Sequence, residues 1–133
     1  MPGPSRPYFA AFNEADGHRA AEAALADGTT ALVCASDELA LGAYGAASAR
    51  GLRIPQDISI TGWDDIQLAR FVSPSLTTVR QPMRALGATA AELLFERIAG
   101  GAPGSVLLGS DVVVRASCGC QPPSTTHREV GLR

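Results

Sequence analysis

The chain has 133 residues, of which 46% are apolar, and a formal net charge of −2. This length predicts one domain with a real core, and the lack of a basic excess argues against a surface that binds nucleic acid by its phosphates. The opening MPGPSRP has neither the pattern of a secretory signal nor an apolar run long enough to span a membrane. We therefore expect a cytoplasmic protein that does not contact a membrane.

Cysteine usage agrees with a reducing compartment. The three cysteines are an odd number, and the close pair Cys118 and Cys120 has a single residue between its members, which is poor spacing for a zinc site. Cys34 lies in the apolar run TALVCAS and reads as a small core residue. The close pair could bind a soft metal, but His18 and His127 are the only histidines and there is no second cysteine pair. We expect neither a disulfide framework nor a bound metal.

The first half of the chain reads as strands alternating with helices. RPYFAAF predicts a first strand, and EADGHRAAEAALADG then carries alanines at helical spacing up to a stop at Gly28. TALVCAS predicts a strand buried on both faces, as parallel strands are. SDELALGAYGAASARG predicts a second helix, which Ser36 or Asp37 can cap.

The second half continues the alternation. After the proline of GLRIPQD, the segment ISITGWD predicts a strand and IQLARF a single helical turn. LTTV predicts a short strand, QPMRALGATAAELLFERIAGG a helix with one apolar stripe, and VLLGSDVVVRAS a hairpin. The tail 121–133 lacks periodicity, so we expect residues 1–120 to fold and this tail to be disordered.

This order predicts an α/β fold with a mostly parallel sheet flanked by helices. Ligands of such sheets collect in the crevice beyond the carboxyl ends of the strands. Phe12, the pair Ser36 and Asp37, and the pair Asp64 and Asp65 each lie at the carboxyl end of a predicted strand and should face that crevice. A carboxylate can accept hydrogen bonds from adjacent hydroxyls, and an aromatic ring can cover a sugar or a base. The residues outline a polyol or nucleoside site.

Each of these residues also has a purely structural interpretation. Asp37 is favoured in the first turn of a helix by the helix dipole, and Asp65 can begin the helical turn over IQLARF. Phe12 can pack in the core, and Trp63 suits a core position or a pocket wall. Ser36 and Asp37 have no base beside them, and no GxGxxG or GxxxxGK motif is present, so we predict neither catalysis nor a cofactor.

Three segments carry a family resemblance: GLRIPQDISITGWDD, PSLTTVRQP and the later RASC. From about Phe12 to Cys118 the chain resembles the effector-binding domain of the LacI/GalR transcription regulators. The resemblance implies a periplasmic-binding-protein-like (type I) fold of two subdomains that close on a small effector, with a helix-turn-helix headpiece that binds operator DNA. Residues 1–120 match the C-terminal subdomain, and the headpiece and first subdomain have no counterpart here.

The resemblance also assigns roles to single residues. Asp64 falls where the family holds effector hydroxyls, Phe12 where an aromatic ring lies against the ligand, and Ser36 where the family commonly has asparagine. The segments 73–80 and 109–115 resemble the crossings between subdomains. The helix over 83–98 matches one that packs in the first subdomain. Homodimers of the family form partly through the helix over 37–50, where Gly42 and Gly45 would permit close approach.

The sequence therefore predicts the effector-sensing and dimerisation part of a DNA-binding transcription regulator of the LacI/GalR type. Its partners would be a sugar or nucleoside effector, a second copy of the chain, and operator DNA through the headpiece. A fragment of a periplasmic-type sugar-binding receptor is the alternative, and a small α/β enzyme is a third possibility. The chain by itself is expected to bind neither effector nor DNA tightly.

Overall fold

The computed structural model describes residues 6–120, which contain three α-helices, one 3-10 helix and four short strands. The chain order confirms the α/β fold class. The predicted disordered tail, 121–133, lies outside the described residues. The elements are α1 (Glu14–Ala26), β1 (Ala31–Val33), α2 (Asp37–Ala49), β2 (Ser59–Thr61), a 3-10 turn (Gln67–Arg70), β3 (Thr78–Arg80), α3 (Met83–Ile98) and β4 (Asp111–Val113).

The strands form a small parallel sheet and an antiparallel ribbon. β1 pairs with β2 in parallel, with Leu32 opposite Ile60, and α2 makes the crossover between them. A parallel bridge from Thr61 to Thr77 brings the segment before β3 alongside β2. β3 then pairs with β4 in antiparallel fashion. We call this β3–β4 pair the ribbon; it begins where the parallel sheet ends.

The core is small because α2 contributes mostly alanines. Ile58, Ile60 and Leu76 are its large side chains, each at most 1% exposed. The helical spacing predicted for α1 and α2 is confirmed, since their inward positions are buried. The full cluster comprises Ala21, Leu25, Ala40, Ala43, Ala46, Ala47, Ile58, Ile60, Ala69 and Leu76.

Two glycines bring α1 and α2 into backbone contact. A Cβ atom on Gly17 would lie 2.6 Å from the Leu39 carbonyl oxygen. A Cβ atom on Gly42 would lie 2.5 Å from the backbone nitrogen of His18 and would collide with the Glu14 carbonyl oxygen. Both helices therefore require glycine at their crossing. Gly42 faces α1 and is not available to a second copy of the chain, so its predicted role in dimer contact is wrong.

The prediction of a strand over residues 6–12 is wrong. This segment has no strand structure and does not pair with β1. Its side chains instead bind the C-terminal end of α1. The Tyr8 hydroxyl donates to Asp27 Oδ2 at 2.6 Å, and Arg6 Nη1 lies 3.1 Å from the same oxygen. β1 is left as an edge strand with Val33 89% exposed, so the prediction that it is buried on both faces is also wrong.

The predicted hairpin in VLLGSDVVVRAS is wrong too. Its first half forms no strand, and Asp111–Val113 pairs with β3 instead. β3 offers an open edge at the point where the chain returns after α3, and its β-branched residues suit the same pairing. The strand predicted at LTTV is confirmed but begins later, at Thr78.

Replacing Gly42 by alanine tests the backbone contact between α1 and α2. We expect Gly42→Ala to destabilise the fold by about 1–3 kcal/mol, because the added methyl group meets main-chain atoms that cannot move aside. Urea unfolding would measure the loss. Gly45→Ala in the same helix is the matched control, since its Cβ would meet only the His18 ring, which can rotate. Equal stability of the two variants would contradict the contact.

Candidate functional site

A buried carboxylate organises the carboxyl end of the parallel sheet. Asp37 is 0% exposed; its Oδ1 accepts from the Thr78 hydroxyl at 2.5 Å and its Oδ2 from the Ile66 N–H at 2.9 Å. Its own N–H donates to the Trp63 carbonyl at 2.8 Å. Asp37 is in the first turn of α2 as predicted. Its three partners tie this helix to β3, through Thr78, and to the segment after β2, through Trp63 and Ile66. A Cβ on Gly62 would collide with Asp37 Oδ1, so glycine is required there.

Ser36 is the N-cap of α2. Its Oγ accepts from the Leu39 N–H at 3.2 Å, and its backbone is extended, as an N-cap requires. The prediction that Ser36 or Asp37 caps this helix is therefore settled in favour of Ser36. The residue is 5% exposed. A serine hydroxyl that accepts one bond can still donate its own hydrogen.

Asp64 lies on the surface where β2 ends. Its Oδ1 accepts from Gln81 Nε2 at 2.8 Å, and its N–H donates to the Val79 carbonyl at 2.9 Å. Both contacts are to the β3 end of the ribbon. Asp64 has φ 119° and Asp65 has φ 54°, which are unusual values for residues with a side chain. Such conformations are held only where neighbouring contacts enforce them, and they cluster at functional sites.

Asp65 turns the opposite way and is nearly buried, with its side chain 2% exposed. Arg115 Nη2 donates to its Oδ1 at 2.5 Å, Arg80 Nε donates to its Oδ2 at 2.7 Å, and Arg70 Nη2 lies 3.7 Å away. Burial raises the pKa of Asp65, but the hydrogen bonds from Arg115 and Arg80 outweigh it and leave the pKa below its ordinary value. The predicted role of Asp65 as the start of the helical turn is wrong, because that turn begins at Gln67.

Arg115 extends this ion-pair cluster into the body of the fold. Its Nη1 donates to the Leu76 carbonyl at 2.7 Å, and its N–H donates to Thr77 Oγ1 at 2.8 Å. Its side chain is 12% exposed. Since Arg80 is on β3 and Arg115 follows β4, the single carboxylate of Asp65 holds both strands of the ribbon.

A cavity of about 1040 Å³ opens between residues 6–12, α1 and β1. Its walls include Phe12, Cys34, Ala35 and Leu39. Phe12 is 67% exposed, so it is not a core residue. Trp63 is 41% exposed, which fits its interpretation as a pocket wall better than a core position.

The structure places Phe12 in the wall of the cavity, and Ser36 and Asp64 at the carboxyl end of the parallel sheet. Phe12 shares the cavity wall with Ala35, the residue before Ser36. The hydrogen bond from the Asp37 N–H to the Trp63 carbonyl sets Ser36 beside the turn that carries Asp64. The structure thus brings Ser36 and Asp64 together, whereas Phe12 follows an irregular segment and not a strand.

Three polar side chains of the site were not predicted from sequence. Arg80, Gln81 and Arg115 hold the Asp64–Asp65 turn. Each follows a β-branched run, TTV or VVV, at the end of a ribbon strand. Cationic and amide side chains directly after such runs are the signal that could have indicated partners for the two acids.

In residues 6–120 no helix is long and apolar enough to cross a membrane. Over the same residues, no three His, Cys, Asp or Glu side chains are grouped so that they could hold a metal ion.

Comparison with known proteins matches residues 4–118 to the family model described as a periplasmic binding protein-like domain. The ribose operon repressor of Haemophilus influenzae is 56% identical over 69 residues, 52% of this chain and 21% of the relative. The regulator MalR of Streptomyces coelicolor is 45% identical over 109 residues, 80% of this chain and 31% of the relative. This chain therefore spans less than a third of either relative.

Solved structures agree with these sequence relatives. The lac repressor dimer bound to operator and the anti-inducer ONPF superposes with a TM-score of 0.74 at 34% identity, covering 81% of this chain and 39% of that one. A LacI family regulator from Arthrobacter sp. FB24 in complex with lactose gives 0.71 at 32% identity, covering 82% and 42%. These relatives are transcription regulators, not enzymes. The chain belongs to the periplasmic-binding-protein-like domain family, and its predicted resemblance to the effector-binding domain of LacI/GalR-type regulators is confirmed.

Proposed function

We propose that this chain is the effector-sensing and dimerisation part of a cytoplasmic LacI/GalR-type transcription regulator, and that it catalyses no reaction. The observation that carries the proposal is Asp64, an exposed carboxylate held at the carboxyl end of β2 by the ribbon. The names of the relatives favour a DNA-binding regulator over a periplasmic receptor. Operator DNA would be bound by a helix-turn-helix headpiece and not by residues 6–120.

The proposed effector is a sugar or a nucleoside. Asp64 would accept hydrogen bonds from adjacent hydroxyls, Phe12 would cover the apolar face of a ring, and the Ser36 hydroxyl would donate a hydrogen bond. The lactose complex of the Arthrobacter relative supports a polyol ligand for this fold. Phe12 already has the exposure that stacking on a ligand requires.

The same turn provides a route from effector to ribbon. Asp64 bonds to Gln81 and to the Val79 carbonyl, and the adjacent Asp65 bonds to Arg80 and Arg115. A ligand that draws Asp64 toward itself therefore acts on both ribbon strands. If the ribbon is a crossing between subdomains, effector binding would favour the closed form by its differential affinity for closed over open.

Asp64→Ala tests the ligand contact. We expect effector binding by the intact regulator to weaken by about 1.5–3 kcal/mol, because a charge-assisted acceptor is lost. Fold stability should change by only about 1 kcal/mol, because Asp64 is exposed and its side chain has one hydrogen bond, to Gln81. Calorimetric titration with the effector found by thermal-shift screening of sugars and nucleosides would measure the loss.

Two further variants make the Asp64 result specific. Asp64→Asn keeps an oxygen for Gln81 but removes the charge, so it should fall between wild type and Asp64→Ala. Asp57→Ala removes another carboxylate, paired with Arg53, and should leave effector affinity unchanged. Unchanged affinity in Asp64→Ala would remove this residue from the site.

Asp65→Asn tests the anchor of the ribbon. We expect a loss of about 3 kcal/mol of stability at neutral pH, because Arg115 would be left buried without its anionic partner. The lowered pKa of Asp65 means that its stabilisation is fully present above the unfolded pKa, about 4, and is lost as pH falls through the folded pKa. Denaturant unfolding between pH 7 and pH 2 would show a shallower acid loss in the variant.

Asp57→Asn is the matched control for the ribbon anchor. Asp57 also has a lowered pKa, about 2, from its hydrogen bonds with Arg53, but this pair lies on the surface. Its removal should have little effect at neutral pH. An Asp65→Asn protein as stable as Asp57→Asn would contradict the anchor.

The apolar stripe of α3 bears on how the 133-residue chain associates with itself. None of the residues of α3 is buried, although the helix carries the predicted apolar stripe. Burying one large apolar side chain contributes roughly 1.5–3 kcal/mol, so this surface has much to gain from a partner. We call this surface the α3 face; it comprises Phe95 and the exposed members of the predicted stripe, which are Met83, Leu86, Leu94 and Ile98.

We expect the 133-residue chain to self-associate in solution. The family's dimer surface on α2 and exchange of α3 between copies are the two routes that the sequence predicts, and the exposed α3 face favours a contact through α3. Light scattering after size exclusion would give the stoichiometry. Leu94→Glu combined with Ile98→Glu should shift the chain toward monomer, whereas Glu92→Gln on the same helix should not. A monomeric wild-type chain with α3 ordered and its apolar face in water would contradict the prediction.

A further inference from the structure

The described structure ends in a pair of thiols that the proposed function does not use. Cys118 is half-buried and Cys120 is exposed. Gly119 between them has φ 70°, a left-handed conformation that turns the chain back on itself. As a result the Cys120 N–H donates to Cys118 Sγ at 3.1 Å. The second cysteine is folded over the sulfur of the first.

The first of these cysteines is anchored to the parallel sheet. The Ser59 hydroxyl of β2 donates to the Cys118 carbonyl at 3.1 Å. The preceding Ser117 is 0% exposed; its hydroxyl donates to the Ile60 carbonyl at 2.6 Å and accepts from the Thr77 N–H at 2.8 Å. Cys118 is therefore held in place, while Cys120 lies on the surface one glycine further along the chain.

The surroundings of the cysteines also separate their reactivities. Burial raises the pKa of Cys118, but hydrogen bonds from Cys120 and Thr77 outweigh it and leave the pKa below that of an ordinary thiol. The pKa of Cys120 is raised, mainly by its hydrogen bond to Cys118. Burial raises the pKa of Cys34 to about 12, so that thiol remains protonated and unreactive.

We propose that Cys118 and Cys120 are a redox-sensitive modification site that closes into an intramolecular disulfide on reaction with a low-molecular-weight disulfide. Cys118 is the attacking thiol and Cys120 the resolving thiol. Two residues apart, their Cα atoms can be at most about 7 Å from each other even in an extended chain. The turn at Gly119 shortens this separation toward the range of about 4.4–6.8 Å that disulfides require.

The reaction balances in two exchanges. The Cys118 thiolate attacks one sulfur of the small disulfide, a Cys118–sulfur bond forms, the original sulfur–sulfur bond breaks, and the leaving thiolate takes up a proton. Cys120 then loses its proton and attacks the Cys118 sulfur, which releases the second small thiol. Two protein thiols are oxidised to one disulfide, and one small disulfide is reduced to two thiols.

The test treats the intact protein with buffers of reduced and oxidised glutathione in varied ratio and then alkylates the free thiols. Trypsin cleaves after Arg115 and Arg128, so both cysteines fall in the single peptide 116–128. With excess oxidised glutathione we expect this peptide to lose two hydrogen masses and to escape alkylation. Excess reduced glutathione should restore two alkylation sites.

Three serine variants assign the roles. Cys120→Ser should stop at a glutathione adduct on Cys118, Cys118→Ser should react several times more slowly at Cys120, and Cys34→Ser should behave as wild type. Thermal unfolding of each variant checks that the fold is retained. Alkylation of both thiols under every ratio, a stable adduct on wild-type Cys118, or disulfide-linked dimers through Cys120 would overturn the proposal.

Discussion

The buried carboxylate of Asp37 is the constraint on which the carboxyl end of the sheet depends. A charge taken out of water is tolerated only when its oxygens are hydrogen-bonded, and here the Thr78 hydroxyl and the Ile66 N–H fill that role. These donors come from β3 and from the turn after β2, while Asp37 itself begins α2. Loss of the carboxylate would leave both donors buried without an acceptor, at a cost comparable with that of the missing bonds. The arrangement also excludes any side chain at Gly62.

The two consecutive acids after Trp63, Asp64 and Asp65, depend on this arrangement and have different roles. Both have positive φ, and their side chains bond to different partners. Asp65 faces inward to the arginines of the ribbon, and Asp64 faces outward with one bond to Gln81. Because Asp65 is fixed by its hydrogen bonds, the adjacent Asp64 carboxylate has little freedom to move. Such preorganisation lowers the entropic cost of holding a ligand.

The elements that sequence predicted well are those whose signal is local. They are the alanine spacing of α1 and α2, the Ser36 cap and the placement of Asp64 after a strand. Each of these features depends only on residues that are close to it in the sequence. The segment 6–12 has the composition of a strand, but whether it forms one depends on a neighbouring edge, and Tyr8 and Arg6 bind Asp27 instead. The partners of Asp65 are 15 and 50 residues away, at Arg80 and Arg115, so the sequence around Asp65 does not identify them.

The glycine crossing of α1 and α2 bears on how motion passes through the domain. Helices that slide past each other usually do so on a layer of side chains that can change rotamer. At Gly17 and Gly42 that layer is missing, and main chain lies against main chain. The two helices are therefore expected to move together. A small displacement at the start of α2, next to Ser36, would reach Asp27 at the far end of α1 with little of it absorbed on the way.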